Sequence, residues 1–208
     1  MRLKSLVAAM ALAASLAPVA SQAQSSNDNP WMVRVRATDL LWQNGQSGAV
    51  VQGANVKAAN KVIPEFDVSY FFTKNIAAEL VLTYPQTINI NYTASQTNLG
   101  SIKALPPSLL LQYHFTELGA LKPYIGAGVN YTIFSKRHNL AGGAAEVEQS
   151  SVGLAAQVGF DYELNKNWSI NADVKYVQIK TDVKLNGATQ GSVDLNPITA
   201  GVGVGYRF

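Results

Sequence analysis

The sequence predicts an all-β protein, an eight-stranded antiparallel transmembrane β-barrel, and three observations carry this prediction. Residues 198–208 are apolar at every second position, with small or polar residues between. Such alternation is typical of a strand with one apolar face. Similar segments recur along the chain, with their charged residues on the face opposite to the apolar one. The connections between them alternate between short and long, as in barrels of the bacterial outer membrane.

Alternation predicts the first four strands over residues 31–41, 61–72, 76–92 and 104–115. In each of them one parity is almost free of charge, so we expect that face to contact lipid. The predicted lipid-facing residues are Trp31, Val33, Val35 and Ala37, then Phe66, Val68, Tyr70 and Phe72, then Ile76, Ala78, Leu80, Leu82 and Tyr84, then Leu109, Leu111, Tyr113 and Phe115.

The last four strands are predicted over residues 123–134, 152–164, 168–183 and 192–208, again from apolar residues at every second position. The sixth strand is the clearest, because apolar residues occupy every even position from Val152 to Leu164. The turn Asn165-Lys166-Asn167 predicts a tight hairpin to the seventh strand. A soluble lipocalin-like barrel or sandwich is the alternative, but the outer face of a soluble sheet should be polar.

The N-terminal residues 1–23 resemble a secretory signal peptide. Arg2 and Lys4 precede a short apolar core, and Ser21-Gln22-Ala23 provides small residues before a cut ahead of Gln24. The apolar core is too short to span a bilayer. The predicted mature barrel is therefore residues 24–208, exported to the outer membrane, with outer-membrane lipid as its first partner.

Composition excludes several classes of function. The chain has no Cys, which excludes disulfides and thiolate chemistry, and its formal net charge of +3 falls when the signal peptide is removed. We find no basic run for nucleic acid, no metal-ligand cluster and no cofactor motif. An enzyme is a weak alternative, because His114 and His138 are predicted to lie at opposite ends of the barrel.

Inward-facing charges are predicted in the lower lumen. They are Arg34, Arg36, Glu65, Asp67, Glu79, Asp161, Glu163, Asp173, Lys175 and Arg207. Eight strands enclose a lumen that side chains fill, so these charges should pair and form a plug. The alternative, a path for ions, requires a width that this number of strands does not provide.

The upper lumen is predicted to be apolar. The same parity turns inward Leu40, Trp42, Ile63, Leu110, Phe134, Val177, Ile179 and Leu195. An apolar pocket that opens to the outside suits small hydrophobic solutes as ligands. Two alternatives remain: these residues merely pack the top of the barrel, or a bulge reverses the parity.

Proline positions predict a weak seam between the second, third and fourth strands. Counted from the turns, Pro64, Pro85 and the pair Pro106-Pro107 fall at one height, and proline cannot donate to a ladder. An apolar ligand could leave sideways into lipid there. The alternative is that proline marks where the strands leave the membrane.

The chain also resembles a known family. The segments 105–109, with the sequence Leu-Pro-Pro-Ser-Leu, 122–132, with Pro-Tyr-Ile-Gly-Ala-Gly-Val at its centre, and 157–162 are similar to the OmpW family, including its AlkL-like members. The ending Gly205-Tyr206-Arg207-Phe208 is shared by many barrels, and Phe208 resembles the signal that the barrel-assembly machinery recognises. The resemblance implies an eight-stranded outer-membrane barrel that passes small apolar molecules, and some members serve as phage or colicin receptors.

Taken together, the sequence predicts passive uptake of small hydrophobic molecules through the upper lumen, with exit into the membrane. The alternative is a structural or receptor barrel without a transported substrate, whose long loops serve adhesion or the binding of phage or colicin. The first long connection, residues 43–60, has no reliable match within the family, so its specificity is open.

Overall fold

The computed structural model describes residues 29–43, 45–48, 54–57, 60–92, 98–135, 145–185 and 187–208. The predicted signal peptide, residues 1–23, and His138 lie outside these ranges. The strands are β1 (Trp31–Leu41), β2 (Gly45–Gly48), β3 (Ala54–Lys57), β4 (Lys61–Phe71), β5 (Ile76–Thr83), β6 (Gln86–Tyr92), β7 (Asn98–Leu105), β8 (Ser108–His114), β9 (Leu121–Ser135), β10 (Ala145–Val147), β11 (Ser150–Glu163), β12 (Trp168–Val177), β13 (Lys180–Leu185), β14 (Ala188–Asp194) and β15 (Ile198–Arg207). The part of the chain that the structure describes contains no helix long and apolar enough to cross a membrane.

Eight strands close into an antiparallel barrel, as predicted. Their order is β11, β12, β15, β1, β4, β5, β8 and β9, and β9 pairs back to β11 from Ser150↔Ile133 to Tyr162↔Leu121. Closure gives every strand of the ring two neighbours, so along the paired rungs the backbone hydrogen bonds are satisfied between strands.

Alternation along each strand separates an apolar outer face from a buried inner face. In β11, Val152, Leu154 and Val158 are 74%, 66% and 57% exposed, whereas Ala155 and Gln157 between them are buried. Apolar residues of this size stay exposed in such a continuous band only where the surroundings are apolar as well. The outer face is therefore suited to acyl chains.

Short connections gather at one end of the barrel, which we call the turn end. Asn165 accepts hydrogen bonds from the backbone N–H groups of Asn167 and Trp168, both at 2.9 Å, and so closes the tight turn between β11 and β12. Exposed and half-buried aromatic side chains ring the same end in edge-to-face pairs. These pairs are Trp31 with Tyr70, Tyr70 with Phe72, Tyr113 with Phe115, Trp168 with Tyr206, and Tyr206 with Phe208.

At the opposite end, the loop end, the strands continue above the ring in two groups, of which the first is continuous with the sheet of the ring and the second is a separate four-stranded sheet. One contains β9, β7, β6 and β3, and the other contains β10, β13, β14 and β2. The first long connection contributes a strand to each of them, because β2 pairs with β14 and β3 pairs with β6. The sequence did not predict β2, β3 and β10.

Several predicted strands are divided in the structure. The third strand breaks at Tyr84–Pro85 into β5 and β6, and the fourth starts at Asn98 rather than 104 and breaks at Pro106–Pro107. The eighth breaks ahead of Pro197, next to Asn196 with φ 27°. Proline has no N–H to donate to the ladder, so pairing is interrupted at each of these breaks. Each break lies where a strand continues beyond the ring.

Candidate functional site

A network of buried charges crosses the lumen in the half nearer the turn end. Arg34 on β1 is fully buried and forms two hydrogen bonds with Asp161 on β11, from Nε at 3.0 Å and Nη2 at 2.7 Å. Its Nη1 donates to Ser69 at 2.8 Å and lies 3.3 Å from both Asp67 and Glu79. Arg34 therefore joins β1 to strands on opposite walls of the barrel.

Arg36, two residues further along β1, continues this network toward the loop end. Its guanidinium pairs with Glu79 at 2.9 Å, Asp67 at 2.7 Å, Glu65 at 3.2 Å and also with Asp173. Lys175 on β12 contacts Glu65 at 2.8 Å and also pairs with Asp173. Every member has a side chain no more than 4% exposed.

Neutral polar side chains complete the network, although the sequence pattern did not predict their part in it. Gln157 donates to Glu79 at 2.8 Å, and Asn171 donates to Asp161 at 2.9 Å and to the hydroxyl of Tyr124 at 3.1 Å. The ring of Tyr124 also lies 5.6 Å from the Arg34 guanidinium. Their inward parity was the available signal, but a neutral residue carries no charge that predicts a partner.

The network holds three cations against five carboxylates: Arg34, Arg36 and Lys175 face Glu65, Asp67, Glu79, Asp161 and Asp173. Buried charges are tolerated when they are paired in this way. Side chains that bond across the lumen also fill it, as the small diameter of eight strands allows. Among the described residues, no group of three or more His, Asp or Glu side chains has the geometry of a metal site.

Two of the ten predicted plug residues lie apart from this network. The side chain of Glu163 is 46% exposed and pairs with Lys122 at 3.7 Å. Arg207 stacks 4.3 Å from the ring centroid of Phe71 and donates to the carbonyl of Asn29. Both residues have inward parity, but they lie at the last positions of β11 and β15, where water enters the turn end.

Glycines allow the crowded network to pack against the barrel wall. A Cβ atom at Gly203 would collide with the Val35 carbonyl and with Arg36, and one at Gly128 would collide with the backbone of Leu109 and Leu110. The paired glycines Gly126/Gly128 and Gly201/Gly203 lie on strands rather than at a helix start, so they are not phosphate loops.

An apolar cluster fills the lumen on the loop side of the charges. All eight residues predicted for the upper lumen belong to it: Leu40, Trp42, Ile63, Leu110, Phe134, Val177, Ile179 and Leu195. The structure adds Val81, Ile88 and Ile102, which the sequence analysis missed. Ile88 was missed because the break at Tyr84–Pro85 shifts the buried positions from odd to even, so that Val81 is followed by Gln86 and Ile88.

Within this cluster lies a narrow cleft, whose free interior of about 30 Å³ holds on the order of two water molecules in this conformation. Its walls are apolar, and its floor is the upper edge of the charged network, where Glu65 and Lys175 face it. Polar uncharged residues also line it: Thr83, Gln86, Ser108 and Thr199. The remaining lining residues are Leu40, Trp42, Ile63, Val81, Pro106, Val177 and Pro197.

One wall of the cleft adjoins a gap in the ladder. In the described chain, β4 and β5 pair up to the rung Glu65↔Thr83, although β4 continues beside β1 as far as Lys61. Likewise β5 and β8 pair up to Val81↔Ser108, and pairing resumes between β6 and β7 only at Gln86↔Ala104. Ile63, Thr83, Gln86 and Pro106 line the cleft at this height.

The prolines lie at this gap but not on one rung. Extending the register of β4 and β5 by one position puts Pro64 opposite Tyr84 rather than Pro85. Pro85 and Pro106–Pro107 occupy the two breaks. Counting residues from the turn centres predicted that the prolines lie at one height. That prediction is wrong by one or two residues, because the hairpins are not symmetric about their turns.

The remaining histidine of interest, His114, is buried at the turn end. Its Nε2 lies 2.9 Å from Gln112 Oε1, and its ring lies between Phe71 and Tyr124, with centroid distances of 4.9 Å to each. Glu146, an acidic residue of β10, lies at the loop end. Among the described residues, His114 and Glu146 therefore lie at opposite ends of the barrel and do not form a shared site.

A closed antiparallel barrel with a continuous apolar outer face, aromatic pairs at its turn end and a charged lumen defines an outer-membrane β-barrel protein. The chain belongs to the OmpW family, whose pattern it matches over residues 30–208. Its localisation is the bacterial outer membrane. The turn end then faces the periplasm and the loop end faces the outside.

Individual relatives support the same assignment. The chain is 40% identical over 195 residues to the uncharacterized outer-membrane protein y4mB of Sinorhizobium fredii, covering 91% of this chain and 84% of that one. It is 29% identical to the dibenzothiophene metabolism operon protein PahQ of Pseudomonas aeruginosa, covering 88% and 90%. The crystal structure of OprG from Pseudomonas aeruginosa superposes with a TM-score of 0.73 at 28% identity, covering 90% of this chain and 99% of OprG.

Proposed function

We propose that this barrel takes up small hydrophobic molecules passively across the outer membrane, through the apolar cleft of the upper lumen. The observation that carries the proposal is the combination of an apolar cleft at the loop end with a paired charge network beneath it. Apolar walls with a few polar groups are the usual composition of a ligand site. The relative PahQ is named as a dibenzothiophene metabolism operon protein, and dibenzothiophene is an aromatic and largely apolar compound.

The charge network supports a lateral rather than an axial exit. An apolar solute that moved along the axis would separate Arg36 from four carboxylates and leave buried charges unpaired, which is very costly. The gap above Glu65↔Thr83 needs no ladder hydrogen bond to break. A solute in the cleft therefore reaches lipid by a shorter and less costly path between β4 and β5.

Assembly is the second part of the proposal. Phe208 ends the chain on the outer face, 57% exposed, and its N–H donates to the carbonyl of Trp31. We propose that this terminal aromatic is the signal through which the barrel-assembly machinery binds the unfolded chain.

Uptake of naphthalene by cells that lack other barrels of this family tests the proposal. Ile179→Asp and Trp42→Asp place a carboxylate in the apolar cluster, and each should lower the uptake rate on the order of tenfold, because a charge there must be desolvated. Gln178→Asp, at an exposed neighbouring position, is the control and should leave uptake unchanged. Equal uptake in cells with and without the barrel would contradict the proposal and favour a structural or receptor role.

A further inference from the structure

Among the described residues, three polar side-chain atoms that line the cleft have no hydrogen-bond partner. Thr83 Oγ1, Gln86 Oε1 and Thr199 Oγ1 are buried and have no hydrogen-bond partner among the described residues. All three side chains line the cleft. Gln86 is 0% exposed and Thr199 is 5% exposed, so bulk solvent does not reach them. Unpaired buried polar atoms are rare in folded proteins and often mark a ligand or water site.

The hydrogen-bonding roles of these atoms follow from their neighbours. The Nε2 group of Gln86 donates to the carbonyl of Tyr84, so its Oε1 atom remains as an acceptor. The threonine hydroxyls can donate and accept. Other polar groups of the floor already have partners, since Lys175 pairs with Glu65 and Asn130 donates to Ser108.

The charge of a suitable ligand follows from the network below. The five carboxyl groups beneath the floor share only three cations, so a further negative charge there has no free cation of the network to pair with, which disfavours an anionic ligand group. A cationic group would have to lose its water on entering an apolar cleft. A neutral hydroxyl donates one hydrogen bond and accepts others, which matches an amide oxygen beside threonine hydroxyls.

We propose that Gln86, Thr199 and Thr83 form a polar subsite that binds the hydroxyl group of an otherwise apolar solute, whose apolar body lies against Leu40, Ile63 and Val177. The subsite rests on the proposed function and narrows its substrate class to neutral hydroxylated hydrophobic molecules, such as aromatic or aliphatic alcohols. In an unliganded barrel, water molecules form hydrogen bonds with such atoms, and the hydroxyl group of the solute replaces that water.

Binding to the purified, folded barrel in detergent micelles tests the subsite with three matched probes: naphthalene, 1-naphthol and 1-naphthoate. The variants are Gln86→Leu and Thr199→Val, and Thr181→Val is the control. Thr181 is also a buried threonine whose hydroxyl has no partner in the described part of the chain, but it does not line the cleft. Because all variants are compared in the same micelle, partitioning of the probes cancels.

We expect Gln86→Leu and Thr199→Val each to weaken 1-naphthol binding about five- to tenfold, the effect of one buried hydrogen bond. Naphthalene binding should change less than about twofold in these variants, and Thr181→Val should bind both probes like the wild type. Equal losses for naphthalene and 1-naphthol would overturn the subsite, and so would 1-naphthoate binding as tightly as 1-naphthol. Failure of the proposed function has a different signature: wild-type binding is selective, but cells gain no uptake of naphthalene.

Discussion

At the scale of residues, parity along a strand predicted most of the charged network, because a charged side chain on the inner face of a narrow barrel must lie in the lumen close to the other inward-facing charges. Arg34, Arg36 and Lys175 were assigned to the lumen on parity and are buried in the network. Parity could not distinguish Glu163 and Arg207, since it indicates direction but not depth. Which carboxylate pairs with which cation depends on strand order and register, so it could not be read from spacing.

Arg36 should be among the most costly residues to replace. Arg36→Met keeps an apolar stem but leaves Glu65, Asp67, Glu79 and Asp173 without their shared cation. We expect the free energy of unfolding to fall by about 3–5 kcal/mol, as when one partner of a buried ion pair is removed. Urea unfolding in detergent micelles measures this loss.

The matched control is Lys74→Met at the turn end. Lys74 pairs with Glu117 at 3.6 Å, and both side chains are more than three-quarters exposed. Exposed pairs contribute about 0–1 kcal/mol, so this variant should unfold close to the wild type. Similar losses of unfolding free energy for Arg36→Met and Lys74→Met would contradict the burial of the charge network.

The two glycines of β9 should respond differently to a methyl group. At Gly128 an added Cβ meets the backbone of Leu109 and Leu110, whereas at Gly126 it meets the flexible side chains of Gln157 and Gln112 at 3.0 Å and beyond. Gly128→Ala should lower the free energy of unfolding by about 3 kcal/mol, and Gly126→Ala by about 1 kcal/mol or less. The same urea titration compares them, and an equal response would contradict the close approach of β8 and β9.

At the scale of elements, alternation predicted the eight strands of the ring because each has one face toward lipid and one toward the lumen. It missed β2, β3 and β10, which are three or four residues long. Such short strands pair through the backbone with distant parts of the chain, so their residue types carry little signal. The prolines predicted a weakness in strands two to four, and the breaks at Tyr84–Pro85 and Pro106–Pro107 lie there, although the rungs differ.

The last strand, β15, carries a prediction about assembly. Phe208→Ala should lower the amount of folded barrel in the outer membrane by about half or more in growing cells. The free energy of unfolding of the Phe208→Ala variant in micelles should change by less than about 1 kcal/mol, because the Phe208 side chain is largely exposed and its removal loses little buried apolar area. Heat-dependent mobility on gels measures the folded fraction.

Phe115→Ala is the control for this experiment. Phe115 is also an exposed aromatic at the turn end, 44% exposed against 57% for Phe208. Loss of an aromatic from the girdle alone would affect both variants alike. A specific role of the terminal residue in recognition requires a larger loss of folded barrel for Phe208→Ala than for Phe115→Ala.

At the scale of the whole molecule, three features form one path. The cleft lies on the loop side of the charge network, that network closes the axis below it, and the ladder between β4 and β5 stops beside it. Sequence alone predicted these parts separately, as an apolar upper lumen, a plug and a seam. Their contiguity comes from closure of the barrel, which brings β1, β4, β5, β12 and β15 around one cleft.

A reversible lock on the gap between β4 and β5 tests the proposed path most directly. The chain has no Cys, so Pro64→Cys with Tyr84→Cys introduces one possible disulfide at the first position above the last rung. Phe66→Cys with Leu82→Cys is the control, because these residues already form a rung with exposed side chains. Naphthalene uptake is measured with each disulfide formed, as verified by mass, and again after reduction.

Lateral exit predicts that the upper disulfide slows uptake on the order of tenfold, that reduction restores it, and that the control disulfide has no effect. Unchanged uptake with the upper disulfide fully formed would contradict lateral exit and require the solute to pass the charge network instead.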